Sequence, residues 1–234
     1  MFLFNRKRII FITGTLICSI FYSNLLKSSF ITVSSIPISN HVIILDAGHG
    51  TPDGGAVSND GLTIESELNL EIVLKLQKLL ESSGCTVILT RSDENGIYES
   101  DANTIRKQKI SDMKNRVLIA NNSNAELFVS IHMNKLEQIQ YSGWQTFYKN
   151  NDSTSKDIAQ TIQLSLNHFM KKENKREIKS ISGIYLTKHV EIPLVLIECG
   201  FLSNIEETQL LKNETYQNEL AWSIYMGLMD YFKE

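Results

Sequence analysis

Short apolar runs alternate along this chain with segments whose apolar residues recur every three or four positions. The first run, His41 to Asp46 (His-Val-Ile-Ile-Leu-Asp), is continuous and of strand length, so it predicts a buried strand. A Gly-rich stretch, 48–61, follows. Leu68, Ile72, Leu76 and Leu79 then mark one face of a helix that Gly84 ends. Thr86 to Thr90 predicts a second strand, residues 92–110 a long polar surface loop, and Met113, Val117 and Ala120 a second helix. Leu127 to His132 is a third strand and Gly143 to Tyr148 a short aromatic one. Ile158, Ile162, Leu166 and Phe169 give another helical face. Leu194 to Glu198 is a further strand, entered through Pro193. Leu210 and Leu211, then Leu220, Ile224, Leu228 and Tyr231, predict a closing amphipathic helix. Strands alternating with helices imply an α/β fold: one catalytic domain with a central, mostly parallel (mixed) sheet flanked by helices.

One segment breaks this rhythm. Residues 9–26 carry no charge and follow Arg6-Lys7-Arg8. At about 1.5 Å per helical residue they would reach about 27 Å, near the roughly 30 Å hydrocarbon core of a bilayer. Positive residues ahead of the run keep the amino terminus cytoplasmic and send the rest outward. Residues 1–27 are therefore read as a transmembrane signal anchor, 28–40 as a Ser-rich tether and 41–234 as the catalytic domain. A cleaved signal, cut near Val33-Ser34-Ser35, and a buried core helix are the alternatives.

Charge divides the chain at the same place. The net charge is −3, yet residues 1–40 hold four basic residues and no acid, leaving 19 basic against 26 acidic residues beyond them. An acidic body lacks the basic excess of a nucleic-acid binder. With 42% hydrophobic and 21% charged residues the chain is globular, not disordered. Three Cys exclude a disulfide-dense scaffold. Cys85 and Cys199 could pair outside the cell, although small buried hydrophobes are the commoner role for such residues.

In an open α/β sheet, ligands gather beyond the carboxyl ends of the strands. His49 follows the first strand, His132 ends the third and Glu198 ends the run Leu194-Val195-Leu196-Ile197. Glu65 stands at the start of the helix after the first strand, near the same rim. Two imidazoles and two carboxylates on one rim suit a catalytic zinc ion, with three protein ligands, an open fourth position and a remaining Glu as base. Each residue also has a bland reading, as a loop hydrogen-bonder or a helix-dipole partner. Glu198 resists it, because a carboxylate closing an apolar run is costly to bury unpaired. His41, His168 and His189 are read as structural.

Four segments in this order resemble the zinc-dependent N-acetylmuramoyl-L-alanine amidases, which cut stem peptides from peptidoglycan. They are Val42 to Gly50 (Val-Ile-Ile-Leu-Asp-Ala-Gly-His-Gly) with Asp53-Gly54-Gly55-Ala56; Glu65 with Asn69-Leu70; Val129 to Asn134 (Val-Ser-Ile-His-Met-Asn); and Ile197 to Asn204 (Ile-Glu-Cys-Gly-Phe-Leu-Ser-Asn). Leu89-Thr90-Arg91, Arg116 with Asn121, and Gln145 to Tyr148 add lesser matches. The resemblance implies His49, Glu65 and His132 as zinc ligands and Glu198 as the catalytic glutamate. Asn134, Arg91 and Arg116 are polar candidates for holding substrate, and each could equally fix a loop or a helix end. The chain looks most like the germination-type, spore-cortex members of the family, given the anchor ahead of a single domain, Gly183-Ile184-Tyr185-Leu186, and the closing Tyr216-Gln217 to Leu228. That likeness implies removal of the peptide from muramic acid ahead of δ-lactam formation, at the outer face of a cell or forespore membrane. A protein co-activator is compatible with this reading but not legible in the residues. Thr51 in place of a Gly, Ser66 in place of a Lys and Trp144 in place of a smaller residue depart from the pattern without removing a ligand.

Three rivals remain. A dinucleotide site at Gly48-His49-Gly50 lacks a third Gly at position 53, and its helix starts too late. A serine hydrolase pairing Ser130 with His132 is read as placing the two side chains on opposite faces of the strand. A catalytically silent wall-binding or activator module would keep the fold without the reaction.

Overall fold

The computed structural model describes residues 36–233, together with Tyr22. The expected anchor and most of the expected tether lie outside the described residues. Among the described residues no helix is long and apolar enough to cross a membrane. The folded unit begins at Ile36, with Ile38 wholly buried, so its first turn precedes position 41.

Six strands form one sheet: β1 (Val42–Ala47), β2 (Thr86–Leu89), β3 (Leu127–Asn134), β4 (Gln145–Lys149), β5 (Lys179–Ile181) and β6 (Leu194–Phe201). Their spatial order is β2-β1-β3-β6-β4-β5. The pairs β1–β2, β1–β3, β3–β6 and β4–β5 are parallel, and β4 runs antiparallel to β6. The sheet is thus mixed, as the pattern implied. Six helices cover it: α1 (Glu65–Ser82), α2 (Ile105–Asn122), α3 (Ser153–Phe169), α4 (Tyr185–His189), α5 (Ile205–Leu211) and α6 (Glu214–Tyr231).

The central strands are apolar on both faces because helices cover both. On one face Leu45, Val129, Val195 and Ile197 pack against Ile72, Leu76 and Leu80 of α1, Ile158, Ile162 and Leu166 of α3, and Leu220, Ile224 and Leu228 of α6. On the other, Ile44, Phe128 and Leu194 meet Val117 and Ala120 of α2 and Leu186 and Val190 beside α4. Above this second cluster the same face turns polar. Asp46, Ser130, His132 and Glu198 continue its alternation toward the strand ends. His132 and Glu198 stand directly beside each other in register across β3 and β6.

Four details differ from the sequence reading. The loop ends at Thr104, which caps α2 by accepting from Lys107 N. The first turns of α2 expose Ile105 and Ile110, so no apolar stripe announced the helix ahead of Met113, and its buried face includes Asp112 and Arg116. Strands β3 and β6 run past His132 and Glu198 rather than ending on them. The short β5 and α4 escaped notice, and His189 closes α4 instead of lying in a loop. Cys85 and Cys199 are unpaired and buried.

A buried ion pair ties the sheet to α2. Asp46 is 0% and Arg116 1% exposed, and Arg116 Nη1 donates to Asp46 Oδ1. Thr90 and Ser130 also donate to Asp46, at 2.8 and 2.6 Å, and Arg116 Nε donates to Asp112 at 2.7 Å. Burial alone would raise the Asp46 pKa, but Arg116 and the two hydroxyls hold it below the ordinary carboxylate value. Asp46→Asn should therefore cost about 3–5 kcal/mol, because it strands Arg116 near its remaining partner Asp112. Urea unfolding at neutral pH measures this. The carboxylate's contribution is complete above the unfolded pKa of about 3.9 and is lost as pH falls through the lower folded value. The Asn variant should lack that component of acid-induced destabilisation.

Candidate metal centre

Four elements converge above the polar half of the sheet. The loop leaving β1 carries His49, the first turn of α1 carries Glu65, and β3 and β6 supply His132 and Glu198. One ligand-type atom from each of His49, Glu65 and His132 lies within 4.8 Å of the others. His49 Nε2 is 3.2 Å and His132 Nδ1 2.9 Å from Glu65 Oε1. The two imidazoles meet edge to face, with centroids 5.0 Å apart.

Backbone geometry makes this approach possible. A Cβ on Gly48 would fall 2.2 Å from the His132 ring. Gly55 has φ +73°, and a Cβ there would fall 2.5 Å from Glu65 Oε2. His49 itself is left-handed, with φ 63°, a conformation costly for a residue with a side chain. Its carbonyl and the two before it are gripped by arginines. Arg116 donates to the carbonyls of Ala47 and His49, and Arg91 to those of Ala47 and Gly48.

Those contacts reassign two sequence candidates. Arg91 is 4% exposed and also donates to the carbonyls of Ser66 and Asp93. Arg116 spends its guanidinium on Asp46, Asp112 and the β1 loop. Both hold the backbone under the site instead of offering a free fork to substrate. Burial lowers the Arg91 pKa to about 10, with Arg116 adding to the effect, so it stays charged at neutral pH. Asn134 closes β3, half-buried, where its carbonyl accepts from Leu202 N. Ser130 and His132 share a face, being two residues apart, which corrects the sequence reading. Ser130 nonetheless donates to Asp46 and is wholly buried, so it has no nucleophile's position.

The two glutamates occupy opposite environments. Glu65 is 3% exposed and fully engaged: Oε2 accepts from Ala56 N at 2.7 Å, and Oε1 from Met133 N at 3.1 Å. Burial would raise its pKa, but hydrogen bonds from His132 and His49 hold it far below the carboxylate range. Glu198 Oε2 is buried without a hydrogen-bond partner. Burial raises its pKa to about 7, with the Glu65 charge adding and the two imidazoles opposing. His49 is pushed to about 9: burial lowers it, and the carboxylates of Asp53 and Glu65 outweigh that.

Beside these groups opens a cavity of about 330 Å³, lined by His49, His132 and Glu198 together with the apolar Met113, Ile181, Ile184, Leu186 and Leu196. Lys109 and Asp53 stand on its wall. The sequence reading missed Ile181 and Leu186 of that lining because β5 and α4, which carry them, are too short to show a period. It missed Lys109 because that residue fell in the expected loop. Two imidazoles and one carboxylate are a donor set that suits zinc, and an orphaned buried carboxylate stands next to it. The residues present fit such an ion.

Gly48→Ala should force the His132 ring aside and cost about 1–3 kcal/mol as an overpacking substitution. Thermal melting and a crystal structure of the variant measure this. An unmoved ring and unchanged melting temperature would contradict the packing described.

The family model for N-acetylmuramoyl-L-alanine amidases matches residues 43–230. The germination-specific N-acetylmuramoyl-L-alanine amidase of Bacillus subtilis is 38% identical over 200 residues, covering 86% of this chain and 83% of that one. The CwlD amidase from Clostridioides difficile, solved in complex with the GerS lipoprotein, superposes with a TM-score of 0.81 at 50% identity, over 83% of this chain and 99% of that one. An N-acetylmuramoyl-L-alanine amidase from Clostridium difficile gives 0.71 at 32% identity, over 83% of this chain and 97% of that one. With four-fifths of its length matched by the family model and its sheet, helices and site loops in one continuous domain, the chain belongs to the N-acetylmuramoyl-L-alanine amidase family.

Proposed function

We propose that this domain is a zinc-dependent hydrolase of the amide between the lactyl group of N-acetylmuramic acid and L-alanine in peptidoglycan. The observation that carries the reading is the convergence of three ligand atoms within 4.8 Å beside a partnerless, buried carboxylate. His49, Glu65 and His132 would hold the ion. When bound, zinc supplies a Lewis acid for the scissile carbonyl and lowers the pKa of its water toward neutrality.

The protein's own groups do the rest. Glu198 takes the proton of the attacking water on Oε2 and returns it to the leaving nitrogen, since an amine anion does not depart near neutral pH. Its raised pKa suits a group that must both accept and give back a proton. Ile181, Ile184 and Leu186 line the same cavity as this carboxylate and would give the lactyl and alanyl methyl groups an apolar surface. Glu65 suits the ligand's role instead, being charged and pinned by two backbone amides.

The biological setting rests on the named relatives and on the sequence of residues 1–40. Similarity to a germination-specific amidase supports a role in cortex maturation, ahead of muramic δ-lactam formation, and in germination. The complex of the CwlD amidase with a lipoprotein supports a protein partner of that kind. Arg6-Lys7-Arg8 and residues 9–26 support a membrane anchor (1–27), with the tether (28–40) and the amidase domain (41–234) outside the membrane.

Incubation of the full-length protein with peptidoglycan, followed by mass spectrometry of the products, should show peptides with a free L-alanine amine. A chelator should abolish the release and zinc should restore it. Full activity after thorough chelation would end the zinc reading, and zinc binding without peptide release would favour the silent module. Glu198→Gln should keep its zinc while the rate falls about 10²–10⁴-fold. Glu65→Gln, His49→Ala and His132→Ala should lose the metal. Exchanged phenotypes for the two Glu variants would exchange their roles.

The full chain should resist extraction from membranes by carbonate and yield to detergent. A soluble mature form beginning near Ile36 would replace the anchor with a cleaved signal and leave the chemistry intact.

A further inference from the structure

The two imidazoles of the centre are fixed by different means. His132 projects from the interior of β3, with its ring against the Cα of Gly48 and Nδ1 toward Glu65. His49 sits on a loop in a left-handed conformation and turns its other nitrogen, Nε2, toward Glu65. Its Nδ1 lies 3.1 Å from Asp53 Oδ2. Asp53 is itself held: Oδ1 accepts from Gly55 N at 3.2 Å and from Lys109 Nζ of α2 at 2.8 Å.

We infer that Asp53 is a positioning residue for His49, and that Lys109 steadies Asp53 from α2 across the wall of the cavity. The inference rests on the zinc reading above. A ligating imidazole is ordinarily oriented by an acceptor on its other nitrogen, which fixes both tautomer and ring angle. Asp53 supplies that acceptor, keeping the proton on Nδ1 and the Nε2 lone pair facing Glu65 and His132. His132 gets its orientation from a strand and from packing; His49 has neither. The Lys109 side chain is 51% exposed, so the pair with Asp53 is worth little as a stabilising ion pair. Its directional effect on the ring is the larger consequence.

Zinc affinity of the full-length protein, measured by competition with a chromogenic chelator, tests this without using activity. Asp53→Ala should weaken binding by about 10–100-fold while the melting temperature of the metal-free protein stays near wild type. Asp53→Asn, whose amide oxygen can still accept from Nδ1, should weaken it less, and so should Lys109→Met. The ¹⁵N shifts of the zinc-loaded wild type should show His49 as one tautomer protonated at Nδ1, with that signature lost in Asp53→Ala. Wild-type affinity in Asp53→Ala would overturn the inference, as would a loss of zinc matched by a comparable loss of metal-free stability. A wild-type protein that binds no zinc would sink the metal reading itself.

Discussion

The buried pair between Asp46 and Arg116 is the contact from which the geometry of the site follows. Asp46 is the last but one residue of β1 and joins that strand to β2 through Thr90, to β3 through Ser130 and to α2 through Arg116. Burying two charges is expensive, and an apolar pair of similar volume is often as stable. What an apolar pair cannot do is hold carbonyl groups. Arg116 also reaches the carbonyls of Ala47 and His49, and Arg91, anchored nearby, takes those of Ala47 and Gly48. Three successive carbonyls leaving the sheet are therefore fixed by charged donors. The chain needs this because it turns sharply there, with His49 in a left-handed conformation that nothing local favours.

From that fixed turn the convergence at the centre is a matter of clearance. Gly48 lets the β1 loop lie against the His132 ring, and Gly55 lets the returning loop lie against Glu65. Ala56 N then donates to Glu65 Oε2, which sets the carboxylate at the first turn of α1. Strand pairing sets His132 beside Glu198. His132 and Glu198 are thus placed by strands and Glu65 by the first turn of α1, while His49 depends on the loop that leaves β1.

How much of this the sequence disclosed depends on what each segment buries. The runs at 42–47, 127–131 and 194–197 are apolar on both faces and read as strands at once, and the stripes of α1, α3 and α6 read as helices. The start of α2 did not, since its apolar residues Ile105 and Ile110 are exposed and form no buried stripe. Strand β5 and helix α4 are too short for a period, yet they contribute Ile181 and Leu186 to the apolar lining of the cavity. The four groups of the centre were legible because each follows an apolar run or opens a helix. For the two arginines the residues left two roles open, substrate or a loop, because only the fold brings up the carbonyls and carboxylates they hold.

The contrast between Glu65 and Glu198 is the last step. The same side chain stands twice within one small volume, and the surroundings push the two in opposite directions. Glu65 accepts two backbone amides and faces two imidazoles, so it stays ionised well into acid. Glu198 is held in a strand interior with Oε2 unpartnered, and its neighbour's negative charge adds to the effect of burial. Carboxylates separated in this way can divide the work of ligand and proton carrier between them. A cation bound between the imidazoles would favour the charged form of Glu198 and draw its pKa below 7. The proposed base would then be ionised at neutral pH and still be close enough to neutrality to hand its proton on. Acidification through that value should silence it, whereas Glu65 gains its proton, and the centre loses that ligand, only at much lower pH.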